Sequence, residues 1–188
     1  EFNDSDTTPL GEGSLSIKVG TGAAVNVAIT GANNTLDGVA AAINESSDLD
    51  VTASVLYTGT GYKLVLNSDK TGLDNTIEIA VTDTGDGDDD DTNGLSRLSY
   101  TAGALNLTES QPAADAAFEL NGVPITRSSN TVDDAIPGVT LTLSATNAGV
   151  PANLTVENDS GAISEKITEF VDAYNALKQL ITDNSNFD

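Results

Sequence analysis

The chain of 188 residues carries 29 acidic and 7 basic side chains and no histidine, a formal net charge of -22. That balance excludes nucleic acid, whose binding needs clustered Lys and Arg to displace counterions, and anionic membrane surfaces. With neither Cys nor His, disulfides, thiolate nucleophiles, Ser-His-Asp arrangements and imidazole-ligated zinc are all excluded, and no run reaches the roughly 20 apolar residues of a membrane span.

Apolar residues make up 38% of the chain, but they fall in patterned runs, so wholesale disorder is excluded too. Methionine is absent, position 1 included, and Glu1-Phe2 reads like a cloning-site scar to be left out of fold reasoning. A piece of a longer protein is therefore expected.

Residues 1–13 read as scar and polar linker, broken by Pro9, Gly11 and Gly13. From Ser14 the period is two. Leu15, Ile17 and Val19 alternate with polar residues, Gly20-Thr21-Gly22 breaks the run, and Val25, Val27 and Ile29 resume it. This predicts a hairpin with one apolar face. Leu36, Val39, Ala40 and Ile43 then stand at i, i+3, i+4, i+7, a short helix capped by Asn34 or Thr35. Alternation returns in Val51, Ala53, Val55 and Tyr57, turns at Thr58-Gly59-Thr60-Gly61, and continues through Tyr62, Leu64 and Leu66. Ile77, Ile79 and Val81 make a further strand. The order β-β-α-β-β-β predicts an α+β module over 14–108 in which one short helix covers a mostly antiparallel sheet.

The acidic stretch 83–94 has no apolar side chain to pack it and reads as a mobile surface loop. Residues Leu95 to Leu107 are weakly patterned and expected to return as an edge strand. A second β module, 109–158, starts with Phe118 and Leu120, then Asn121-Gly122, then Val123 and Ile125. Asn-Gly between alternating runs is a strong hairpin signal, since both turn positions need positive φ. Thr131-Val132-Asp133-Asp134 resembles a capping box opening one helical turn that Pro137-Gly138 ends. Strands are expected at Val139, Leu141, Leu143 and at Leu154, Val156. Asn130-Thr131-Val132-Asp133 echoes Asn34-Thr35-Leu36-Asp37, by duplication or by chance.

In 159–188, capped by Asp159 or Ser160, Ile163, Ile167, Phe170, Tyr174, Leu177 and Ile181 recur at spacings 4, 3, 4, 3, 4. This is a heptad seam, widened by Val171 and Leu180. Two readings stay open: an amphipathic helix lying on a β module, or a stalk helix of a coiled coil or bundle whose partners lie outside this chain. The fold class is thus α+β and mostly β: two small antiparallel-sheet modules, then a C-terminal helix.

Chemistry is sparse. Asp86, Asp88 and Asp90 fit the first three acid positions of an EF-hand calcium loop, but Asp91 stands where Gly is needed and Arg97 where Glu is needed. A calcium site of another kind and a solvated, self-repelling loop both remain readings. Asp133 and Asp134 are explained by helix capping. Ser128, Ser129 and Lys166 lack an activating partner, and Tyr57 and Tyr62 are expected as a cross-strand pair. No catalytic constellation and no cofactor site emerge.

The run from Ala117 to Leu143 (AFELNGVPITRSSNTVDDAIPGVTLTL) resembles a signature of the bacterial flagellar filament cap protein, or hook-associated protein 2, family. Phe170-Val171-Asp172-Ala173-Tyr174-Asn175 is similar to that family's helix leading into its coiled-coil stalk, and 15–81 to a looser unit of flagellar axial proteins. The acidic loop matches nothing in the family. The resemblance implies a secreted, extracellular, non-enzymatic protein at the flagellum tip. It would form a ring-like homo-oligomer that promotes flagellin polymerisation, with self and flagellin as partners and the terminal coiled-coil regions lying beyond this chain. The alternative is an extracellular adhesin-like β module whose acidic loop binds calcium.

Overall fold

The computed structural model describes residues 1–85, 88–147, 149–156 and 160–185, the last stretch without the side chains at 160, 162 and 163. In chain order the elements are β1 (Gly13–Val19), β2 (Val25–Ile29), α1 (Leu36–Asn44), β3 (Val51–Tyr57), β4 (Tyr62–Ser68) and β5 (Ile77–Asp83). A 3-10 turn follows at Gly94–Leu98, then β6 (Ala116–Leu120), β7 (Val123–Arg127), β8 (Thr131–Ile136), β9 (Val139–Thr142) and α2 (Ser160–Ser185). The architecture is α+β, dominated by small antiparallel sheets. Residues Glu1–Ala145 form one compact unit and Thr146–Asp188 another.

Period-two alternation decides the first sheet. Its order is β2-β1-β5, all antiparallel, with Leu15 opposite both Val27 and Val81, and Ile17 opposite Ile79. Those side chains are buried. The second sheet is the β3-β4 hairpin, with Ala53 opposite Leu66 and Tyr57 opposite Tyr62. Helix α1 lies against β3 and β2. Thr35, of the two candidates, is its N-cap, accepting from the Gly38 N–H at 3.2 Å. Leu36, Val39, Ala40 and Ile43 are buried, as their spacing requires. Each of the three larger ones contributes on the order of 1.5–3 kcal/mol by leaving water.

Residues 3–13 are not a free linker: Leu10 is buried, its N–H donates to the Asn34 carbonyl at 2.7 Å, and Ser5 accepts from the Asp37 N–H at 2.8 Å. Glu1-Phe2 takes part in the fold as well. Phe2 and Tyr62 exchange both backbone hydrogen bonds at 2.8 Å, and the Arg97 guanidinium sits 3.9 Å from the Phe2 ring centre. Residues 95–107 form the 3-10 turn and single-residue bridges of Tyr100 to Ile79 and Leu105, in place of an edge strand. Leu95 and Leu98, three apart, would face opposite sides of a strand, whereas the 3-10 turn, with three residues per turn, brings both to the buried side.

Beyond residue 115 the Asn-Gly expectation holds. Asn121 has φ +52° and Gly122 φ +80°, the two-residue turn that joins β6 to β7. The helical turn expected at 131–134 is a strand, β8, paired antiparallel with β9 through an irregularity between Val132 and Ile136. Three causes act together. Pro137 disfavours α geometry at Ile136, one isolated turn costs more to nucleate than it gains, and Pro137-Gly138, with Gly138 at φ +78°, closes Ile136 onto Val139 as a tight turn. The echo between 34–37 and 130–133 therefore precedes a helix once and a strand once, and does not extend to structure. Leu143 continues the β9 pairing, its N–H donating to the Asn130 carbonyl at 2.8 Å. No strand forms at Leu154 and Val156, which are exposed with no described strand beside them to share a ladder.

Candidate functional site

The described residues of the acidic segment, 83–85 and 88–94, are stapled rather than free. Asp83 falls in the buried phase of β5, after Ile77, Ile79 and Val81, and is 5% exposed. Its carboxylate accepts from the Gly85 and Leu95 N–H groups, each at 2.8 Å, while its own N–H donates to the Asp89 carboxylate at 2.7 Å. Ser96 Oγ donates to the Asp88 carbonyl at 2.8 Å, and Asn106 Nδ2 donates to the Asp91 and Ser96 carbonyls at 2.5 and 2.9 Å. Neutral donors thus hold the backbone of a segment whose charges repel. The Asp88 and Asp91 carboxylates accept from the Asp90 and Asn93 N–H groups, ordinary Asx turns. Asp86 lies outside the described residues. Among those described, no group of three or more acidic side chains converges as a metal site.

α2 carries the heptad seam over 26 residues, about 39 Å at 1.5 Å per residue. Ile167, Phe170, Tyr174, Leu177 and Ile181 are 55–73% exposed, and Val171 and Leu180 beside them are exposed too. The Ile163 side chain lies outside the described residues. The polar face is braced locally, with Lys166 bound to Glu169 at 2.8 Å and Gln179 to Asp183 at 2.8 Å. So large an apolar stripe on one helix is the feature most in need of an occupant. Among the described residues no helix is long and apolar enough to cross a membrane.

Several of the other polar groups have structural partners. Asp134 pairs with the Arg127 guanidinium at 2.9 Å, which lowers the Asp134 carboxyl below its usual value and raises Arg127. Asp4 accepts from the Thr8 hydroxyl and from the Thr8 and Thr7 N–H groups, which bring its pKa down to about 2. Glu1 accepts from the Thr58 and Thr60 hydroxyls at 2.6 and 2.9 Å, and its pKa is lowered for that reason. Ser129 Oγ accepts from the Thr131 N–H. Tyr57 and Tyr62 form the expected cross-strand pair, ring centres 5.1 Å apart. The residues that sequence reasoning missed are Asp83, Asn106 and Arg97. An acid in the buried phase of a strand was the available signal for the first.

The chain thus combines small antiparallel modules with an exposed heptad helix, and comparison with known proteins gives the class. Residues 14–70 match the flagellin hook IN motif, and residues 113–188 match the flagellar hook-associated protein 2 C-terminus. The acidic segment falls between the two. The chain is 32% identical over 189 residues to the B-type flagellar hook-associated protein 2 of Pseudomonas aeruginosa, covering 96% of this chain and 39% of that protein. It is 44% identical over 79 residues to flagellar hook-associated protein 2 of Helicobacter pylori, covering 42% of this chain and 12% of that one. A crystal structure of FliD (HAP2) from Pseudomonas aeruginosa aligns with TM-score 0.62 and 30% identity over 98% of this chain and 85% of that chain. The D1-D2-D3 domains of the flagellar cap protein FliD from Escherichia coli align with TM-score 0.71 and 29% identity over 97% and 52%. These likenesses define a flagellar protein built from β modules and a terminal helix.

The chain belongs to the flagellar hook-associated protein 2 family. It spans less than half the length of the curated relatives it matches. Membership favours the flagellar reading over the adhesin-like one, and none of the relatives' names describes an enzyme.

Proposed function

We propose that this chain is the head and upper leg of a flagellar filament cap, a secreted, non-enzymatic scaffold at the distal filament end that promotes flagellin polymerisation. Residues 14–108 and 109–158 serve as head modules, and 159–188 as the top of a leg. The observation that carries the reading is the exposed seam from Ile167 to Ile181 on α2, in a chain alike over nearly its whole length to solved flagellar cap proteins. A heptad stripe is stable only when covered, and in this reading it is covered by other helices of the full-length protein in a ring of identical subunits. The partners are further copies of the protein and flagellin. Chemistry at a single centre is not required, because shape and contact order the incoming subunits.

The test uses the full-length gene. Returned to a cap-null strain, it is expected to restore filaments of normal length, with the protein found at their tips. Continued secretion of unpolymerised flagellin by the complemented strain would overturn the reading.

A further inference from the structure

We propose that the segment between β4 and β5 is the latch of a hinge that joins the first β module to the β6–β9 hairpins. Three residues of that segment reach across. The Leu73 N–H donates to the Asp115 carboxylate at 2.8 Å. The Thr71 hydroxyl donates to the Ser128 carbonyl and accepts from the Asn130 N–H, both at 3.4 Å. Gly72 lies between them at φ +103°, and a Cβ there would stand 2.3 Å from the Ser128 carbonyl oxygen. Only glycine allows both that backbone conformation and that approach.

The latch is shaped before it closes. Asn75 holds it from behind, its N–H donating to the Gly72 carbonyl at 3.0 Å and its Nδ2 to the Thr71 carbonyl at 2.6 Å. Ser68 Oγ donates to the Lys70 carbonyl at 2.9 Å at the other end. The loop therefore presents one N–H and one hydroxyl in fixed positions. Asp115 is the charged member of the contact, which makes its bond the strongest of the three.

The two sides belong to one compact unit, and Val132 is buried on the hairpin side, but it lies outside the main core cluster and few other described contacts join them. The continuous buried core is built from residues between Leu10 and Leu98, with partly buried neighbours from Phe2 to Leu107, and takes nothing from beyond 109. None of the described ion pairs crosses: Lys18–Glu78 and Lys70–Asp50 lie in the first module and Arg127–Asp134 in the second. The connecting stretch Thr108-Glu109-Ser110-Gln111-Pro112-Ala113-Ala114 has no regular structure and ends at Asp115, where the latch grips. Solvent-exposed hydrogen bonds compete with water and are individually weak, and modules that share few buried contacts move relative to each other by default. Closed, the latch fixes how the hairpins sit on the first module; open, the connecting stretch lets them swing.

The chain as given suffices for the test, so the outcome does not depend on the cap reading. Asp115→Ala is expected to raise amide exchange at Leu73 tenfold or more while leaving Ile79, inside the first module, unchanged. Spin labels on Lys63→Cys and Glu119→Cys, in a chain with no native cysteine, are expected to give a broader distance distribution in Asp115→Ala than in the parent. Gly72→Val opens the latch without removing a charge and is expected to broaden it equally. Unchanged Leu73 exchange with an unchanged distribution would overturn the proposal. So would loss of protection at Ile79 in step with Leu73, since the modules would then unfold as one body.

Discussion

Asn44, the last residue of α1, takes the place of a neighbouring strand for Ala53: its Nδ2 donates to the Ala53 carbonyl and its Oδ1 accepts from the Ala53 N–H, both at 2.8 Å. In the β3-β4 pair the outward backbone groups of β3 would otherwise face only the helix end. One side chain thus fixes where the helix stops, how it meets β3, and how that edge is closed to further pairing.

Asn44→Ala is expected to destabilise the first module by about 1–3 kcal/mol, the cost of leaving buried-edge donor and acceptor unpaired. For a module of this size that lowers the melting temperature by roughly 4–8 °C per kcal/mol. Thermal unfolding followed by circular dichroism checks it, and a melting temperature equal to the parent's would show that the pairing contributes nothing.

Asp83→Ala removes the acceptor for the buried Leu95 N–H and for Gly85. The expected cost is about 1–3 kcal/mol, concentrated on the acidic segment it closes. Amide exchange at Leu95 should accelerate and limited proteolysis should cut between 84 and 94, with the β1-β5 ladder still protected. Asp83→Asn keeps one acceptor oxygen and is expected to fall between the two. Protease resistance equal to the parent's in Asp83→Ala would place the staple elsewhere, with Ser96 and Asn106.

The sequence was most legible where one period repeated against one apolar surface. Leu15, Ile17, Val27, Ile29, Ile79 and Val81 announced the first sheet, and Leu36, Val39, Ala40 and Ile43 announced α1, because burial selects side chains at that period. Asn121-Gly122 was readable because few residue pairs tolerate two positive φ angles. Legibility failed where backbone or polar groups do the holding. Residues 3–13 are tied down by main-chain bonds at Ser5 and Leu10 that leave no pattern. Thr131 to Asp134 has capping chemistry in its letters, yet Pro137 and the Pro137-Gly138 turn select a strand. The acidic run looked free because its anchors, Asp83, Ser96 and Asn106, are polar and partly distant in sequence. For the seam the spacing alone was informative.

Asp4 and Asp134 give the molecule an acid-side dependence whose sign follows from their lowered pKa values. A carboxyl depressed in the folded state adds stability above its unfolded value of about 3.9, and that stability is lost as pH falls through the folded value. For Asp4 the loss runs from about pH 4 down to about 2. Thr8→Val is expected to move the Asp4 titration up toward the ordinary value, and Arg127→Ala to do the same for Asp134. Carboxyl-carbon NMR titration reads both. An Asp4 midpoint unmoved by Thr8→Val would mean that the Thr7 and Thr8 amides, rather than the hydroxyl, hold the charge.

The seam separates the behaviour of this chain alone from that expected of the proposed cap. Its residues are exposed, so Ile167→Ser, Phe170→Ser and Leu177→Ser are each expected to change the stability of the β modules by no more than about 0.5 kcal/mol, as for other surface substitutions. Without a covering partner, amides of α2 should exchange far faster than those of β1 and β5, because an isolated helix gains little beyond its own hydrogen bonds. In the full-length protein the same three substitutions are expected to abolish filament growth if, as proposed, the stripe is buried in the assembled cap. Motility plates and tip electron microscopy read that second arm, and amide exchange reads the first. Protection of α2 equal to that of the sheets would mean that the helix is already covered within this chain, and normal motility of all three variants would remove the seam from assembly altogether.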